Sequence, residues 1–574
     1  MKTPAEIRVP VLIVGGSLVG LSASVLLGRL GIPHLVIEKR RKISDHSRAR
    51  GYTVRTMEIY RAAGLEEAID KVAADRARHL GVLRTDRLDR QTDHFEYIDR
   101  DPDGLGARMS PVFWAHCPQA QLEPLLLSHA RQYGADVRFG TQMINLEQDQ
   151  DKVAVTAKVN ATGEQLTIHA DYVLAADGAH STARECLGIG VSGRGVLMHY
   201  LSVLFRADLE PVVAKRRFAV CHLEHPQAPG LLLPIDDNDT WIFQIPYHPT
   251  RGQTPRQFTI PRITDYLRTA IGDPDLDMQI LSTAPWAAAE TIAERFHAGR
   301  VFLVGDSAHQ MPPAGAFGAN TGIQDAHNLA WKIAAVHHGY AGPGLLDTYE
   351  AERRPVALAT AERACERSTE LSSSLTGAVA PSQRPPLASP STLLVAYMAY
   401  RYNSQAVLGP QHDDILPPTA DLSGEPGTRA PHLWLDDQGR RISTLDLFEQ
   451  HFVLLSCPST PWHSAACQIA ERDQWPLRSY RIGTGPNADL TTDQDTDWIS
   501  QYGITAQGAV LVRPDGFVAW RTNTPPPPGT ETTVLTGILS DLLCNPSGGG
   551  RGRTAAERDR AGRRADPVGD TARV

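Results

Sequence analysis

Residues 11–21, VLIVGGSLVGL, join a short apolar run to a glycine-rich turn and the start of an apolar helical segment. The helical spacing continues to Leu30, and a second apolar run from His34 ends at the carboxylate of Glu38. This order predicts a strand, a tight turn, a helix and a second strand, the first βαβ unit of a dinucleotide-binding fold. We therefore expect an α/β protein that begins with a Rossmann-like domain.

Each part of this motif has a physical role. Gly15 permits the sharp turn, Gly20 lets the helix pack closely on the strand, and Glu38 can accept hydrogen bonds from ribose hydroxyls. The helix N-terminus offers backbone N–H groups and the positive end of a dipole to a pyrophosphate. Ser17 stands where the GxGxxG fingerprint has its middle glycine. A purely structural glycine turn therefore remains an alternative at this point.

A second acidic motif lies far downstream, in residues 300–334, RVFLVGDSAHQMPPAGAFGANTGIQDAHNLAWKIA. An apolar strand leads to Asp306, which is placed to hold a ribityl hydroxyl. The loop 312–320, PPAGAFGAN, has little side-chain bulk, so its backbone N–H groups can approach a flat ring. The helix expected from about Thr321 points its positive end at the same place and would stabilise negative charge on a reduced flavin.

A third motif, residues 171–189, DYVLAADGAHSTARECLGI, places Asp177 at a strand end with Ser181 and Arg184 after it. Alone, it could be an Asp-Gly turn before a capped helix. In this order and spacing, the three motifs resemble the para-hydroxybenzoate hydroxylase-like class of flavoprotein monooxygenases over residues 9–370. Within that class, the sequence looks closest to bacterial aromatic polyketide hydroxylases.

The resemblance implies a fold and a set of FAD contacts. The expected architecture is a Rossmann-like FAD-binding domain interleaved with an antiparallel-sheet substrate domain, plus a C-terminal thioredoxin-like α/β domain that lacks the redox CxxC. The implied contacts are Ser17 and Leu18 along the pyrophosphate, Glu38 on the ribose, Arg48 beside the flavin and phosphates, Gln119 near the flavin side chain, Met143 near the adenine and Asp306 on the ribityl chain. Gly15, Gly20, Lys39, Asp177, Pro313, Gly318 and Asn320 complete the expected set.

Two of these contacts have simpler alternatives. Arg48 could be a solvated loop charge, and Gln119 could simply begin a helix.

The sequence contains no Ser-His-Asp, HExxH or Cys/His pattern, so we expect the cofactor to carry the chemistry. The resemblance implies that NADPH or NADH binds transiently and reduces FAD, and that a flavin C4a-hydroperoxide formed from O2 hydroxylates a phenolic or polyketide-derived ring. No catalytic base is identified. Arg363 and Arg367 are candidates for a cation near the substrate, and a solvated helix face is the alternative.

The substrate domain offers aromatic residues as candidate pocket walls, with a place in the core of the sheet as the alternative. They are His199, Tyr200, Trp241, Phe243 and Tyr247.

The chain divides into regions by composition and periodicity. We expect an FAD-binding domain in 1–185 and 286–371, with long helices in its second part, and a substrate-binding sheet domain in 186–285. A linker in 372–430, a thioredoxin-like domain in 431–545 and a disordered tail in 546–574 complete the prediction.

Composition narrows the classes of partner. The 574 residues carry a net charge of −8, which argues against a nucleic-acid-binding surface. Seven scattered cysteines favour reduced thiols and a cytoplasmic protein. The uncharged stretch 9–28 contains proline, glycines and serines, so we expect a strand and helix there and no membrane span. Either a monomer or a homodimer is compatible with the sequence.

Two other functions compete with a hydroxylase. The residues TWIFQIP, 240–246, echo the GWxWxIP pattern of flavin-dependent halogenases, although Thr240 and Phe243 depart from it. The other alternative is a non-catalytic flavin or ligand carrier, which would consume neither reductant nor oxygen.

Overall fold

The structure is a computed structural model that describes residues 5–44, 49–73, 81–90, 94–97, 101, 104–213, 216–235, 239–375, 390–420, 422–492 and 497–545. In chain order, its strands are β1 Ala5–Val14, β2 His34–Glu38, β3 Gly51–Tyr52, β4 Gly81–Thr85, β5 His94–Tyr97, β6 Ala115–His116, β7 Asp136–Phe139, β8 Thr141–Gln148, β9 Val153–Val159, β10 Gln165–Ala175, β11 Val191–Arg206, β12 Phe218–Leu223, β13 Gly230–Pro234, β14 Thr240–Tyr247, β15 Gln279–Ala293, β16 His297–Ala298, β17 Val301–Leu303, β18 His309–Gln310, β19 Trp434–Asp437, β20 Arg440–Ser443, β21 Phe452–Ser456, β22 Leu477–Arg481, β23 Thr491–Thr492, β24 Ala509–Val512 and β25 Val518–Thr522.

The α-helices alternate with these strands in the first and last parts of the chain. They are α1 Leu18–Arg29, α2 Val54–Ala62, α3 Glu66–Ala73, α4 Leu105–Met109, α5 Gln119–Gln132, α6 Thr182–Cys186, α7 Glu210–Val213, α8 Ile260–Ile271, α9 Phe317–His337, α10 Thr348–Leu375, α11 Pro390–Met398, α12 Trp462–Asp473, α13 Trp498–Gln501 and α14 Glu531–Leu542.

The first domain is built on a sheet of order β16-β17-β10-β1-β2-β7, and β8 and β9 form an antiparallel arm on β10. Strands β17, β10, β1, β2 and β7 run parallel to one another, and the short β16 pairs antiparallel with β17. Because parallel strands end at the same edge, the carboxyl ends of β1, β2, β10 and β17 meet there, where ligands bind in open α/β sheets. Helix α1 packs against α9 and α5. The Rossmann-like prediction for this part of the chain is confirmed.

The second domain is a sheet of order β18-β15-β11-β14-β13-β12-β4-β5. Its central pairs β11–β14, β13–β14 and β12–β13 are antiparallel. Helix α8 covers one face, where its apolar side chains join the core of the sheet. The opposite face of the sheet lies outside that core and is called the open face.

The C-terminal domain contains a four-stranded sheet of order β22-β21-β24-β25. Strands β21 and β22 are parallel and joined by α12, whereas β24 and β25 are antiparallel to their neighbours and followed by α14. This βαβ-ββα order is the thioredoxin-like topology that the sequence predicts. Position 460, three residues after Cys457, is a threonine, so no CxxC stands at the start of α12.

Two of the expected boundaries differ from the structure. The sheet of the second domain extends beyond 186–285, because it includes β4, β5 and β18 and the whole of β15, which ends at Ala293. The residues 390–430, expected as part of a linker, contain helix α11 and bury large side chains such as Tyr400 and Tyr402. The Ser/Pro-rich composition obscured this, since the apolar residues that pack lie after the prolines. The expected disordered tail, 546–574, lies outside the described residues.

A buried ion network joins the first domain to the C-terminal domain. Arg513 of the C-terminal domain donates to both carboxylate oxygens of Glu352 on α10, at 2.5 and 2.9 Å. Lys332 on α9 donates to the same carboxylate at 2.8 Å, and Asp515 pairs with Arg513 at 2.5 Å. The side chains of Lys332, Glu352 and Arg513 are fully inaccessible. This network fixes the docking of the two domains.

Burial and charge act in opposite directions on the pKa values of this network. Burial disfavours ionised Glu352, but Arg513 and Lys332 hold the pKa of this carboxyl below its usual range. Burial also lowers the pKa of Lys332, to about 8, against the opposing effect of Glu352. Each charge is therefore tolerated only while its partners are present.

A second buried cluster reinforces the same contact. Glu58 on α2 accepts from Arg55 at 2.8 Å and from Arg429 of the segment that enters the C-terminal domain. Arg55 also donates to the backbone carbonyl of Asp515 at 2.6 Å. The C-terminal domain is therefore held to α2, α9 and α10 by charges at several separate points.

The seven cysteines are all free thiols. Within the described ranges, no helix has the length and apolarity needed to cross a bilayer.

The network predicts a large loss of stability when one of its partners is removed. Arg513→Met leaves the buried Asp515 without its cation and leaves Glu352 with Lys332 alone, so we expect the free energy of unfolding to fall by about 3–5 kcal/mol. Urea denaturation measures this. Arg440→Met is the matched control in the same domain, because Arg440 is 75% exposed and pairs with Asp437 at 3.4 Å. A loss for Arg513→Met no larger than for the control would contradict the role of the network.

Candidate active site

The turn after β1 is closed by two glycines. Gly15 has φ 108°, a conformation that favours glycine, and a Cβ there would lie 2.2 Å from the carbonyl oxygen of Ala176 at the end of β10. A Cβ on Gly20 would lie 1.9 Å from the carbonyl oxygen of Gly15, so α1 packs directly on the turn. The N-terminus of α1 consequently opens at the carboxyl edge of the sheet.

Glu38 ends β2 beside this turn and is buried. Its carboxylate accepts the backbone N–H of Gly16 and the backbone N–H of Arg40, each at 2.8 Å. Each oxygen keeps a second lone pair for another donor. Lys39 is exposed, and its carbonyl accepts from Asn160 at 2.8 Å.

The structure brings Ser17 and Gln119 together, although they are about a hundred residues apart. Gln119 donates to the hydroxyl oxygen of Ser17 at 3.1 Å and to the carboxylate of Glu123 at 2.7 Å. Ser17 donates to the same carboxylate at 2.5 Å. The buried Glu123 therefore orients both expected contacts, a role that the sequence did not indicate. Leu18 is buried at the start of α1.

The Asp-Gly motif after β10 forms a capped helix, as its local alternative predicts. Ser181 accepts the backbone N–H of Arg184 at 3.0 Å at the start of α6. Asp177 accepts the backbone N–H of Ala183 at 3.1 Å, while its buried Oδ1 has no hydrogen-bond partner within the described part of the chain. Burial raises the pKa of Asp177, against the opposing hydrogen bonds from Ser181 and Ala183.

Arg184 connects this motif to the downstream acidic motif. It donates to the carbonyl of Ser307 at 2.7 Å and to that of Ala179 at 2.9 Å. Asp306, beside Ser307, is exposed at the carboxyl edge of the sheet. The three motifs quoted from the sequence thus meet at one edge, as expected from parallel strands.

The buried ion pair of Asp325 and Arg353 holds the backbone directly before Asp306. The carboxylate of Asp325 accepts the backbone N–H of Gly305 at 3.2 Å and contacts His309 at 2.6 Å. Arg353 on α10 donates to the other oxygen at 2.7 Å. Burial opposes ionisation of Asp325, but His309 and Arg353 hold its pKa below the usual range.

The small-residue loop 312–320 leads directly into α9, which begins at Phe317. Pro313 is exposed and Gly318 is half-buried, so this backbone is accessible at the helix N-terminus. Asn320 clamps the loop to β3, because it accepts the backbone N–H of Thr53 at 2.9 Å and donates to the carbonyl of Gly51 at 3.0 Å. Both ends of its side-chain amide are therefore hydrogen-bonded to backbone groups.

Helix α11 packs on this loop from outside. The hydroxyl of Tyr397 donates to the carbonyl of Gly315 at 2.9 Å, and its ring contacts Phe317 and Trp114 at centroid distances of 5.3 and 5.4 Å. The region taken for a linker in the sequence therefore forms part of the wall around the loop.

The expected pocket aromatics of the second domain divide between the two faces of its sheet. Trp241, Phe243 and Tyr247 belong to the buried core under α8, so the core alternative describes their position. Tyr200 lies on the opposite face, stacked on Trp286 at 5.0 Å. Burial raises the pKa of Tyr200. His199 packs its ring against Tyr247 at 5.4 Å.

The face opposite the core carries a polar chain that the sequence did not reveal. Trp286 donates to Gln244 at 2.8 Å, and Gln244 donates to the hydroxyl oxygen of Ser202 at 3.2 Å. The alternation of side chains along TWIFQIPY indicates that Gln244 faces away from the core, because it lies between the core residues Phe243 and Ile245. Choosing residues by aromaticity therefore selected three core residues, Trp241, Phe243 and Tyr247, together with Tyr200 on the open face.

The remaining expected residues lie elsewhere. Met143 is buried on β8. Arg363 pairs with Glu366 at 2.9 Å on a partly exposed face of α10, and Arg367 is half-buried one turn further on. Arg48 lies outside the described residues. Its neighbour Arg50 donates to the carbonyl of Pro234 at 2.8 Å and so joins the two domains beside the site.

Comparison with known families decides the identity of this site. The FAD binding domain family matches residues 8–364, and the aromatic-ring hydroxylase C-terminal family matches residues 423–546. This chain belongs to the FAD-dependent aromatic-ring hydroxylases. It is an FAD-dependent aromatic monooxygenase, and the halogenase alternative is not favoured.

The similar proteins span almost the whole hydroxylase. A putative polyketide hydroxylase of Streptomyces halstedii is 50% identical, over 93% of this chain and 97% of that protein. A tetracenomycin B2 monooxygenase-dioxygenase of Streptomyces olivaceus is 40% identical, over 94% and 99%. The solved structure of aklavinone-11 hydroxylase with FAD and aklavinone has a TM-score of 0.83 and 33% identity, over 93% and 99%.

The site of this hydroxylase fits an FAD molecule. The N-terminus of α1 opens at the carboxyl edge of the sheet, where it would hold a pyrophosphate, and Glu38 has lone pairs that could accept from ribose hydroxyls. Loop 312–320 offers accessible backbone without bulky side chains, and Asp306 lies exposed beside it. The FAD cofactor expected from the sequence is therefore consistent with the geometry.

The turn at Gly15 generates a testable prediction. Gly15→Ala places a Cβ within 2.2 Å of a backbone oxygen that cannot move without breaking the sheet, so we expect the purified protein to lose its visible flavin absorbance. Gly31→Ala is the matched control, because Gly31 has φ 72° but open space around a Cβ. Equal flavin content in the two variants would show that the close approach at Gly15 does not matter for the cofactor.

Proposed function

We propose that this hydroxylase acts on a fused-ring phenolic substrate of the aromatic polyketide type, with NADPH or NADH as the transient reductant. The proposal is carried by the open face of the second sheet, opposite α8, where the stacked rings of Tyr200 and Trp286 lie beside the hydrogen-bonded side chains of Gln244 and Ser202. The named relatives that act on aklavinone and tetracenomycin compounds support the same class.

The open face is wide enough for several rings. Leu231, Gln244 and Ser202 are neighbours on three adjacent strands, which spans about 10 Å at the usual strand spacing. Leu231 and Gln244 are half-buried, and so is Trp286 on the next strand, as expected of side chains that line a cleft. A single phenol would cover only part of this surface.

The residues of the first domain complete the cleft. We assign the pyrophosphate to the N-terminus of α1, the ribose to Glu38 and the ribityl chain to Asp306. The chemistry that FAD supplies when bound is hydride acceptance and oxygen activation. The backbone of loop 312–320 and the N-terminus of α9 stabilise negative charge at the ring. Helix α11 covers one side of this loop through Tyr397 and excludes water there.

The overall reaction balances with one reductant per turnover. A ring C–H bond, O2, NAD(P)H and one proton give a ring C–OH, water and NAD(P)+. An electron-rich phenolate reacts more readily than a phenol, so the protein must hold the ring oxygen as well as the ring plane.

A substrate panel tests the proposed class. NADPH and NADH oxidation is followed with simple phenols, naphthoquinones, anthraquinones and angular polyketides, and each product is weighed by mass spectrometry. We expect hydroxylated products from fused-ring phenols and little turnover of single-ring phenols. Fast product formation from simple phenols with none from fused rings would contradict the proposal. Reductant consumption with peroxide release alone would indicate only an effector.

A further inference from the structure

The chain of hydrogen bonds on the open face has a fixed direction. The indole N–H of Trp286 can only donate, so the side-chain oxygen of Gln244 must be the acceptor of their 2.8 Å bond. The amide nitrogen of Gln244 is therefore the end that faces Ser202, at 3.2 Å. Because that nitrogen can only donate, the hydroxyl oxygen of Ser202 accepts.

This direction leaves the hydrogen of Ser202 for a further acceptor. Ser202 is 6% exposed, yet no acceptor for its hydrogen is recorded among the residues that the structure describes. A buried donor without an acceptor is costly unless a ligand or water supplies one. The hydroxyl lies between the stacked pair Tyr200–Trp286 and the apolar Leu231 and Leu233, on the face opposite the core.

The rigidity of the chain adds to its effect. Trp286 is held by its stacking on Tyr200, which lies directly opposite it on the neighbouring strand, with interplanar angle 21°. Gln244 and Ser202 are also paired directly across adjacent strands. A donor held by three strands does not have to be ordered when a ligand arrives, so its hydrogen bond costs little entropy.

We propose that Trp286, Gln244 and Ser202 form a positioning relay that presents the hydroxyl hydrogen of Ser202 to the reactive phenol or quinone oxygen of the substrate. The inference rests on the proposed fused-ring phenolic class and assigns its oxygen subsite. A phenolate oxygen gains more from this donor than a neutral phenol does, so Ser202 lowers the pKa of the bound phenol. The proton released on ionisation passes to water.

The test uses alizarin, a dihydroxyanthraquinone whose colour reports its ionisation, bound to the FAD-loaded enzyme. Ser202→Ala removes the donor. We expect the pKa of bound alizarin to rise by about one unit, the tenfold equivalent of one charge-assisted hydrogen bond. The kcat–pH profile for a turned-over fused-ring phenol should shift to higher pH by a similar amount, with flavin content unchanged.

Two further variants separate the relay from simple loss of packing. Gln244→Glu accepts from Trp286 and also from Ser202, so it reverses the last hydrogen bond and consumes the hydrogen of Ser202 while every side chain stays in place. It should shift the pKa of bound alizarin as Ser202→Ala does. Ser202→Thr keeps the donor and should restore the value. Ser192→Ala, the same change at an exposed position of β11, is the control.

The outcomes distinguish this inference from the proposed function. If the unmodified enzyme hydroxylates fused-ring phenols but Ser202→Ala leaves both the pKa of bound alizarin and the kcat–pH profile unchanged, the relay is wrong and the substrate class stands. If the unmodified enzyme neither binds alizarin nor turns over any fused-ring phenol, the substrate class fails and the relay fails with it.

Discussion

The buried carboxylate of Glu352 is the contact on which the arrangement of domains depends. It binds Lys332 of α9 and Arg513 of the C-terminal domain, and all three side chains are excluded from water. The next residue on α10, Arg353, holds Asp325, which in turn accepts the backbone N–H of Gly305 beside the flavin loop. Two consecutive residues thus connect the docking of the C-terminal domain to the support of the cofactor site.

This arrangement binds the thioredoxin-like domain, which has no CxxC at the start of α12, tightly to the first domain. Its charges hold α2, α9 and α10, and the segment that leads into it supplies α11, whose Tyr397 packs on the loop at Gly315.

The sequence predicted the parts of the fold that local rules determine. The strand-turn-helix at Gly15 and the capped helix at Ser181 follow from glycine geometry and capping, and both are present. It did not predict the partner of Ser17, because Glu123 reaches it only through the packing of α5 on α1. Residues 390–430 were expected as part of a linker because the average composition of the segment is dominated by its serines and prolines. That average hides helix α11 and the buried tyrosines that follow the prolines.

The sequence analysis also did not separate the two faces of the second sheet, and the reason is physical. Aromatic residues were taken as pocket walls, yet Trp241 and Phe243 bury most of their surface in the core under α8. A ligand-binding cleft instead needs polar groups that orient the ligand. The side chain of Gln244 lies on the face of β14 opposite Phe243 and Ile245. Reading the strand by period and polarity, and not by aromaticity, would have singled out Gln244.

The central claim is that this chain is an FAD-dependent aromatic monooxygenase. The most direct test is a turnover of a fused-ring phenol under isotopically labelled O2 in ordinary water, with the product weighed by mass spectrometry. We expect one labelled oxygen atom in the ring hydroxyl and one in water for each NAD(P)H consumed. A product whose added oxygen comes from water, or product formation without flavin reduction, would contradict it.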